Sequence, residues 1–365
     1  MDNIKKRILL VLMLGILLSG CKARQAEAQL PAIETEAAAA AEQTVPEPRL
    51  TEAPETKPGE QHFLLTFAGD CTLGGSPFHQ YVDYGFLKTV GEDYGHPFRN
   101  VLPWFAEDDM TFVNLEGTLT DRGSPVKKKF TFRGPESYSR ILTENSVDFV
   151  SLANNHTMDY GMAGYENTTR VLQEAGVPYV EQDSSRIVTL DGGLTVGVYG
   201  VVYYRIDQQE LQQAISQLKQ QADVVILAAH WGGEGSYHPS QEQIRLAHAA
   251  IDAGADIVWG HHPHVLQHME KYQDGLICYS LGNFSFGGNI YPEDFDTAFI
   301  TVDVIRDHRG QVRLGEITAV PCCISSDPSV NNYQPTPYEK DSDGYKRAVS
   351  KLDGSWTGPN LKNDP

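Results

Sequence analysis

Five short clusters of hydrogen-bonding and metal-ligating residues stand just past apolar runs of the chain. They are Gly69-Asp70, Asn114-Leu115-Glu116-Gly117, Asn154-Asn155-His156, His230-Trp231-Gly232 and Gly260-His261-His262-Pro263-His264. Taken singly, each has an ordinary structural explanation: a turn at Gly-Asp, a left-handed turn with a helix cap at Asn-Asn-His, a hydrogen-bonded core histidine at His230. The histidines at 261, 262 and 264 fit such explanations less well, because Pro263 fixes the turn between the last two and imidazole is the commonest metal ligand. Carboxylates from Asp70 and Glu116, an amide oxygen from Asn155 and nitrogens from His230, His262 and His264 make a mixed oxygen and nitrogen donor set. That set suits a divalent transition ion such as Mn, Fe or Zn better than Ca, which takes oxygen cages, or structural Zn, which takes thiolates. A carboxylate with ligands on both sides can bridge two ions, and paired ions activate a water and stabilise an in-line displacement. The chemistry implied is hydrolysis, with one or two ions per chain.

Such a site needs several strand ends brought together. From His62 onward short β-rich runs alternate with longer helical segments, the pattern of an α/β sheet architecture. Strands are expected near Phe63–Ala68, Thr111–Leu115, Phe149–Leu152, Thr195–Val201, Val224–Ala229, Ile257–Trp259, Ile277–Ser280 and Ala298–Val304. Helical periodicity fits Gly164–Ala175, Gln208–Gln220 and Gln241–Ala253. In an α/β sheet the loops beyond the carboxyl ends of strands converge on one crevice, so the clusters are expected to meet there.

The order of the motifs carries a resemblance. Gly69-Asp70, Asn114 to Gly117, Asn154-Asn155-His156 with Asp159 and Gly161, His230-Trp231-Gly232 with Glu234, Gly260 to His264, and Ser280-Leu281-Gly282-Asn283-Phe284 resemble the CapA-type poly-γ-glutamate capsule biosynthesis proteins, over about residues 62–325. That family is similar to the calcineurin-like metallophosphoesterases, which implies an α/β fold of four layers, α/β/β/α, with two mixed sheets. The resemblance implies Asp70 as the first metal-binding acid, Glu116 where an aspartate normally bridges two metals, and Asn155 as the amide ligand. It makes His230 the lone histidine ligand, His262 and His264 the pair serving different metals, and His156 the catalytic histidine that protonates a leaving group. Asn114, Glu234 and Asn283 are expected in support. The sequence departs from the phosphoesterase pattern at Thr72, which stands where a histidine ligand is usual; this leaves one metal short of a donor, with Glu234 as a substitute. Glu116 is also one methylene longer than the usual aspartate. Phe132-Arg133-Gly134-Pro135, after Lys127, Lys128 and Lys129, forms the densest basic stretch, and Arg133 is expected to pair with a substrate carboxylate or phosphate through its bidentate fork.

The rest of the chain frames this domain. Its 365 residues carry 29 Lys+Arg against 48 Asp+Glu, a formal charge of -19, so a broad nucleic-acid footprint is excluded. Lys5, Lys6 and Arg7 precede an apolar run from Ile8 to Leu18, too short to span a hydrocarbon core of roughly 30 Å. With Leu18-Ser19-Gly20-Cys21 it resembles a lipoprotein signal with a lipobox, so lipidation is expected at Cys21 and the protein is expected outside the cytoplasm, anchored to the bacterial cell membrane. Residues 1–21 are thus read as signal, 22–60 as a disordered Ala/Glu/Pro/Thr tether, 61–325 as the catalytic-type domain and 326–365 as a polar tail. Within that tail Gly344–Leu352 is read as a short helix and the last dozen residues as disordered. Cys71, Cys278, Cys322 and Cys323 could pair in three ways, none decided by spacing; the adjacent pair reads as two unpaired thiols at a strand end. Expected partners are the membrane through its lipid anchor, an anionic envelope polymer or small anionic substrate, and membrane polymer synthase subunits. Three functions stay open: a metal-dependent hydrolase or transferase acting on a phosphoester or an envelope amide, a non-catalytic polymer-binding component of a capsule synthesis complex, and a substrate-binding lipoprotein for an importer.

Overall fold

β1 (Gln61–Thr72) runs through the first sheet with nearly every side chain buried, as expected of a strand covered on both faces. After it come α1 (Phe86–Val90), α2 (Leu102–Phe105), β2 (Met110–Leu115), the two-residue β3 (Thr118–Leu119) and β4 (Arg133–Gly134), α3 (Ser139–Thr143), β5 (Phe149–Ser151), α4 (Gly161–Ala175) and β6 (Tyr179–Val180). The chain then builds a second sheet from β7 (Ser185–Thr189), β8 (Thr195–Val202), α5 (Gln208–Lys219), β9 (Val224–His230), α6 (Gln241–Asp252), β10 (Ile257–His261), β11 (Met269–Tyr272) and β12 (Gly275–Cys278). It returns to the first through β13 (Asn283–Phe286), β14 (Asp296–Arg306), β15 (Val312–Cys323) and β16 (Thr336–Pro337), and continues into α7 (Asp343–Leu352). This computed structural model describes residues 59–79, 82–203 and 206–361. The expected signal with Cys21, and residues 22–58 of the expected tether, lie outside the described residues. Among the described residues no helix is long and apolar enough to cross a membrane.

The first sheet has the order β16-β15-β14-β1-β2-β5-β6, with β13 paired to the end of β1; the second has the order β11-β12-β10-β9-β8-β7. Steps β1–β2 and β2–β5 are parallel while β1–β14 is antiparallel, and β8–β9 and β9–β10 are parallel while β7–β8 and β11–β12 are antiparallel. The fold is therefore α/β with two mixed sheets, as the family resemblance implied. Alternation along the strands sorts their side chains onto two faces. Val224, Ile226 and Ala228 of β9 join Phe63, Leu65 and Phe67 of β1 in one core, and Val225, Leu227 and Ala229 join Leu211 and Ile215 of α5 and Leu246 of α6 in another. On the remaining face of the first sheet, Val113 and Leu115 pack with Phe105, Ile141, Leu142, Val171 and Leu172 from helices α2 to α4.

One irregularity matters for the site. Phe67 lies in the core shared by the two sheets, whereas Cys71, four residues on, lies in the core of the opposite face, although a regular strand would put both on one side. The β1–β2 register shifts between Phe67 and Asp70. The irregularity moves Asp70 from the outer face to the side where His230 and His261 continue the inward series of β9 and β10.

Cys71, Cys278 and Cys322 are buried and Cys323 partly so, all four as free thiols. Burial holds each thiol above its ordinary range. The expected helix in the polar C-terminal segment is α7, capped by the Ser342 side chain on Tyr345 N. The described residues after it, 353–361, differ from the disorder expected of them. Trp356 N donates to Ser350 O at 2.8 Å and Leu361 N to Gly235 O at 3.0 Å, because Trp356 supplies an apolar anchor that the polar composition conceals.

Candidate metal centre

Asp70 is fixed by its neighbours before any ligand is considered. Gly69 runs so close to the loop before β13 that a Cβ there would lie 2.1 Å from Gly282 O, and Asp70 N donates to that same oxygen at 2.9 Å. Only glycine fits this approach. Asn114, on the inward face of β2, donates from Nδ2 to Asp70 Oδ1 at 2.8 Å and accepts from Asn154 Nδ2 at 3.1 Å. Burial works against the charge of Asp70, but His261 and His264, with Nδ1 atoms 3.1 and 3.2 Å from its oxygens, hold the carboxyl well below the usual range.

Glu116 sits at the centre. Its carboxylate is fully buried, neither oxygen has a hydrogen-bond partner, and burial pushes its pKa well above normal. Around Oε1 stand three imidazole nitrogens, Nε2 of His156 at 3.7 Å, of His230 at 3.7 Å and of His264 at 3.6 Å. These separations exceed a hydrogen bond, yet two donors sharing an ion at about 2.0 to 2.2 Å each come to rest about 3 to 3.6 Å apart. A buried carboxylate left without a donor is costly in a protein interior, and a cation among these groups removes that cost.

The imidazoles are oriented for this task. His264 Nδ1 lies 2.9 Å from Asn283 Oδ1 and close to Asp70, which leaves Nε2 facing Glu116. Burial opposes a proton on His264, but Glu116 and Asp70 raise its pKa to about 10. His230 Nε2 is 3.1 Å from Asn155 Oδ1, so the amide expected as a ligand stands beside its histidine. Burial lowers His230 well below its ordinary value and brings His262 to about 3, so both are neutral donors. His262 and His264 adopt φ of +92° and +56°, a region that costs an L-residue roughly 1 to 2 kcal/mol. Both strained residues belong to the candidate ligand set.

His156 is held differently. Its Nδ1 is 2.7 Å from Asp159 Oδ2, the ring of Phe132 stacks on it at 4.3 Å, and burial lowers its pKa while Asp159 opposes the shift. Lys128 Nζ pairs with Asp159 Oδ1 at 2.7 Å and donates to Asn155 O at 2.9 Å.

The structure thus gathers Asp70, Glu116, His230, His262 and His264, with Glu234 joining the last two; each of three triads, Glu116-His230-His262, Glu234-His262-His264 and Asp70-Glu116-His264, has its ligand atoms within 4.8 Å of one another. Asn155 and His156 adjoin this set, and Asn114 and Asn283 support it from behind. Thr72 does not take the place of the usual histidine: its hydroxyl donates to Glu116 O at 2.7 Å. Arg133 carries its guanidinium over the ring of Tyr160, 4.7 Å from the centroid. Lys128, its neighbour in the basic stretch, makes contact with the site through Asp159 and Asn155. His261 was visible only as one of three histidines in four residues, and its approach to 3.1 Å of Asp70 Oδ1 required the strand register.

Residues 64–288 match the family described as "Bacterial capsule synthesis protein PGA_cap". The PGA biosynthesis protein CapA of Bacillus subtilis (strain 168) is 28% identical over 328 residues, covering 82% of this chain and 80% of its own. The capsule biosynthesis protein CapA of Bacillus anthracis is 30% identical over 266 residues, covering 64% and 62%. Among solved structures, the NAD nucleotidase NadN of Haemophilus influenzae aligns at 14% identity with a TM-score of 0.40, over 81% of this chain and 63% of that one. The purple acid phosphatase PPD1 of yellow lupin (Lupinus luteus) aligns at 11% identity with a TM-score of 0.31, over 71% and 53%. The matched segment contains every clustered residue from Asp70 to Asn283, and the chain belongs to the bacterial capsule synthesis PGA_cap family.

Proposed function

We propose that this chain is an extracytoplasmic lipoprotein, anchored to the bacterial cell membrane through Cys21, whose site holds one or two divalent transition metal ions and hydrolyses a bond in an anionic envelope substrate. The observation that carries the metal is the Glu116 carboxylate, buried without a hydrogen-bond donor among three imidazoles. The two Bacillus relatives are named for PGA and capsule biosynthesis, which supports a role in making or exporting a poly-γ-glutamate type polymer beside membrane synthase subunits.

Asp70, Glu116, Asn155, His230, His262 and His264 would hold the metal, with Asn114 and Asn283 fixing the orientation of Asp70 and His264. A bound ion of this class polarises the oxygen of the scissile bond and lowers the pKa of a bound water. Asp159 accepts from Nδ1 of His156, so the ring presents Nε2 toward the centre; to act as the acid it would first take up a second proton there, as an imidazolium whose charge Asp159 offsets, and pass that Nε2 proton to the departing group. Phe132 covers one face of that ring and keeps water from it. Arg133 would pair with a substrate carboxylate or phosphate, and Arg133→Ala is expected to lower ligand affinity and its salt dependence.

The test is turnover of an aryl phosphate and of a γ-glutamyl polymer by the purified chain, with His156→Ala alongside. Turnover abolished in the variant while metal is retained supports the hydrolase. Metal and polymer bound with no turnover on either substrate would instead make the chain a non-catalytic polymer-binding component. Fatty-acid labelling lost in Cys21→Ser supports the anchor, and labelling that persists removes it.

A further inference from the structure

Four loops meet around Phe132, whose ring covers His156. From the loop after β1, Gly75 exchanges backbone hydrogen bonds with Arg133, at 3.0 and 3.2 Å. From the loop before α4, the Asp159 carboxylate accepts from Phe132 N at 2.6 Å and Asp159 O accepts from Val126 N at 2.9 Å. At the end of β13 the ring of Phe286 meets that of Phe132 at 5.7 Å, and the chain runs on to Tyr291. Each loop turns a large apolar side chain out to solvent: Phe78 is 81% exposed, Tyr291 71%, and Phe130 and Met158 44% each. Val126 and Met162, in the same two stretches as Phe130 and Met158, are exposed as well. Apolar surface left uncovered on the rim of one site marks a place where something docks.

The charge of the rim says what kind of surface it fits. Residues 121–130 are exposed throughout, and they hold Arg122, Lys127, Lys128 and Lys129 against the single acid Asp121, in a chain whose formal charge is -19. Lys128 turns inward to Asp159, while Lys129 Nζ lies 5.3 Å from the centroid of the Phe130 ring. Lysine is depleted at protein–protein interfaces, whereas lysines among aromatic tips suit a lipid headgroup layer, where rings settle at the interface and ammonium groups meet anionic phosphates. The path of the chain leaves room for this contact. It enters β1 at Gln61, about 30 Å along the strand from Asp70, so an anchor at Cys21 does not by itself turn the site toward a membrane. Residues 22–58 could span up to about 130 Å, enough to bring any face of the body to the bilayer.

We propose that the loops around Phe132, led by Phe78, Phe130, Met158 and Tyr291 with Lys127 and Lys129 among them, dock on the headgroup layer of an anionic lipid bilayer, so that the site opens onto the membrane surface. The docking rests on the anchored, extracytoplasmic reading above. The anchor supplies proximity and the rim supplies orientation.

The test is tryptophan quenching in the full-length chain bound to vesicles of phosphatidylcholine and phosphatidylglycerol with brominated acyl chains. Phe130→Trp and Phe78→Trp serve as separate reporters on two of the loops, with the emission of the wild-type tryptophans subtracted. Both reporters lose emission in the mixed vesicles and lose less in pure phosphatidylcholine. Lys127→Ala together with Lys129→Ala lowers the ratio of docked to undocked chain by about 5-fold for each lysine removed. Flotation of the chain with the vesicles while neither reporter is quenched overturns the docking and leaves the anchor standing; a chain that does not float overturns both. Quenching that is unchanged by loss of both lysines overturns the assignment to an anionic surface. Photo-crosslinking from position 130 to a membrane protein in cells, with no quenching by lipid, would give the rim to a protein partner and overturn the lipid docking.

Discussion

Glu116 and Asp70 illustrate how much one residue's surroundings decide. Both are buried acids, yet donors around Asp70 hold its pKa low, whereas Glu116 has none and burial raises its pKa. The donor set was legible in the sequence because each member follows an apolar run, but Lys128 was not, since nothing in Lys127-Lys128-Lys129 says which lysine turns inward to Asp159. A different acid reports on pH. Asp108, before β2, accepts from Thr111 Oγ1 at 2.6 Å, has its other oxygen buried without a partner, and is pushed by burial from 3.8 to about 7. An acid whose folded pKa is raised stabilises the fold fully below its unfolded value, and that contribution is lost as pH rises through the folded value. The melting temperature should therefore carry a downward slope between pH 4 and 7 that Asp108→Asn reduces; an unchanged slope in the variant would refute the assignment.

Elements differ in how clearly they announce themselves. Strands β2, β8, β9, β10 and β14 and the helices α4, α5 and α6 follow the expected runs to within a few residues, because their apolar periods are long and strong, whereas the 12-residue β15, mostly half-buried, was not among the expected strands. The two-residue β3 and β4 are too short for any period to register; they pair through Thr118 N on Phe132 O at 3.2 Å and Thr120 N on Gly134 O at 2.9 Å. The irregularity in β1 was hidden for another reason: a strand buried on both faces shows no alternation of polar and apolar residues, so a register shift leaves no mark in its pattern. Yet that irregularity aims Asp70 inward, and Gly69 permits it. Gly69→Ala would drive a methyl into Gly282 O and is expected to destabilise the fold by about 3 kcal/mol in denaturant titration. A loss under about 0.5 kcal/mol, the range of ordinary surface substitutions, would show that the two backbones can separate freely.

At the scale of the whole molecule the formal charge of -19 takes on a more specific meaning. Part of it is carried by Asp70, Glu116 and Glu234, which a divalent ion would neutralise, and the remaining acidity repels a polyanionic chain everywhere but at that centre and the basic stretch from Lys127 to Arg133. Under the proposed function, a polyglutamate partner would meet a narrow site. The parallel strand ends of the two sheets meet at one crevice, and this is why motifs spread from Gly69 to Asn283 converge; sequence order displayed the motifs, while only the register of β1, β9 and β10 placed them within bonding distance. The most direct test of the account is elemental analysis of the purified chain after saturation with Mn, Fe or Zn and removal of excess, with Glu116→Gln in parallel. The wild-type chain should hold one or two ions and the variant fewer, more weakly held; no bound ion in the wild type at saturating supply would overturn the metal centre.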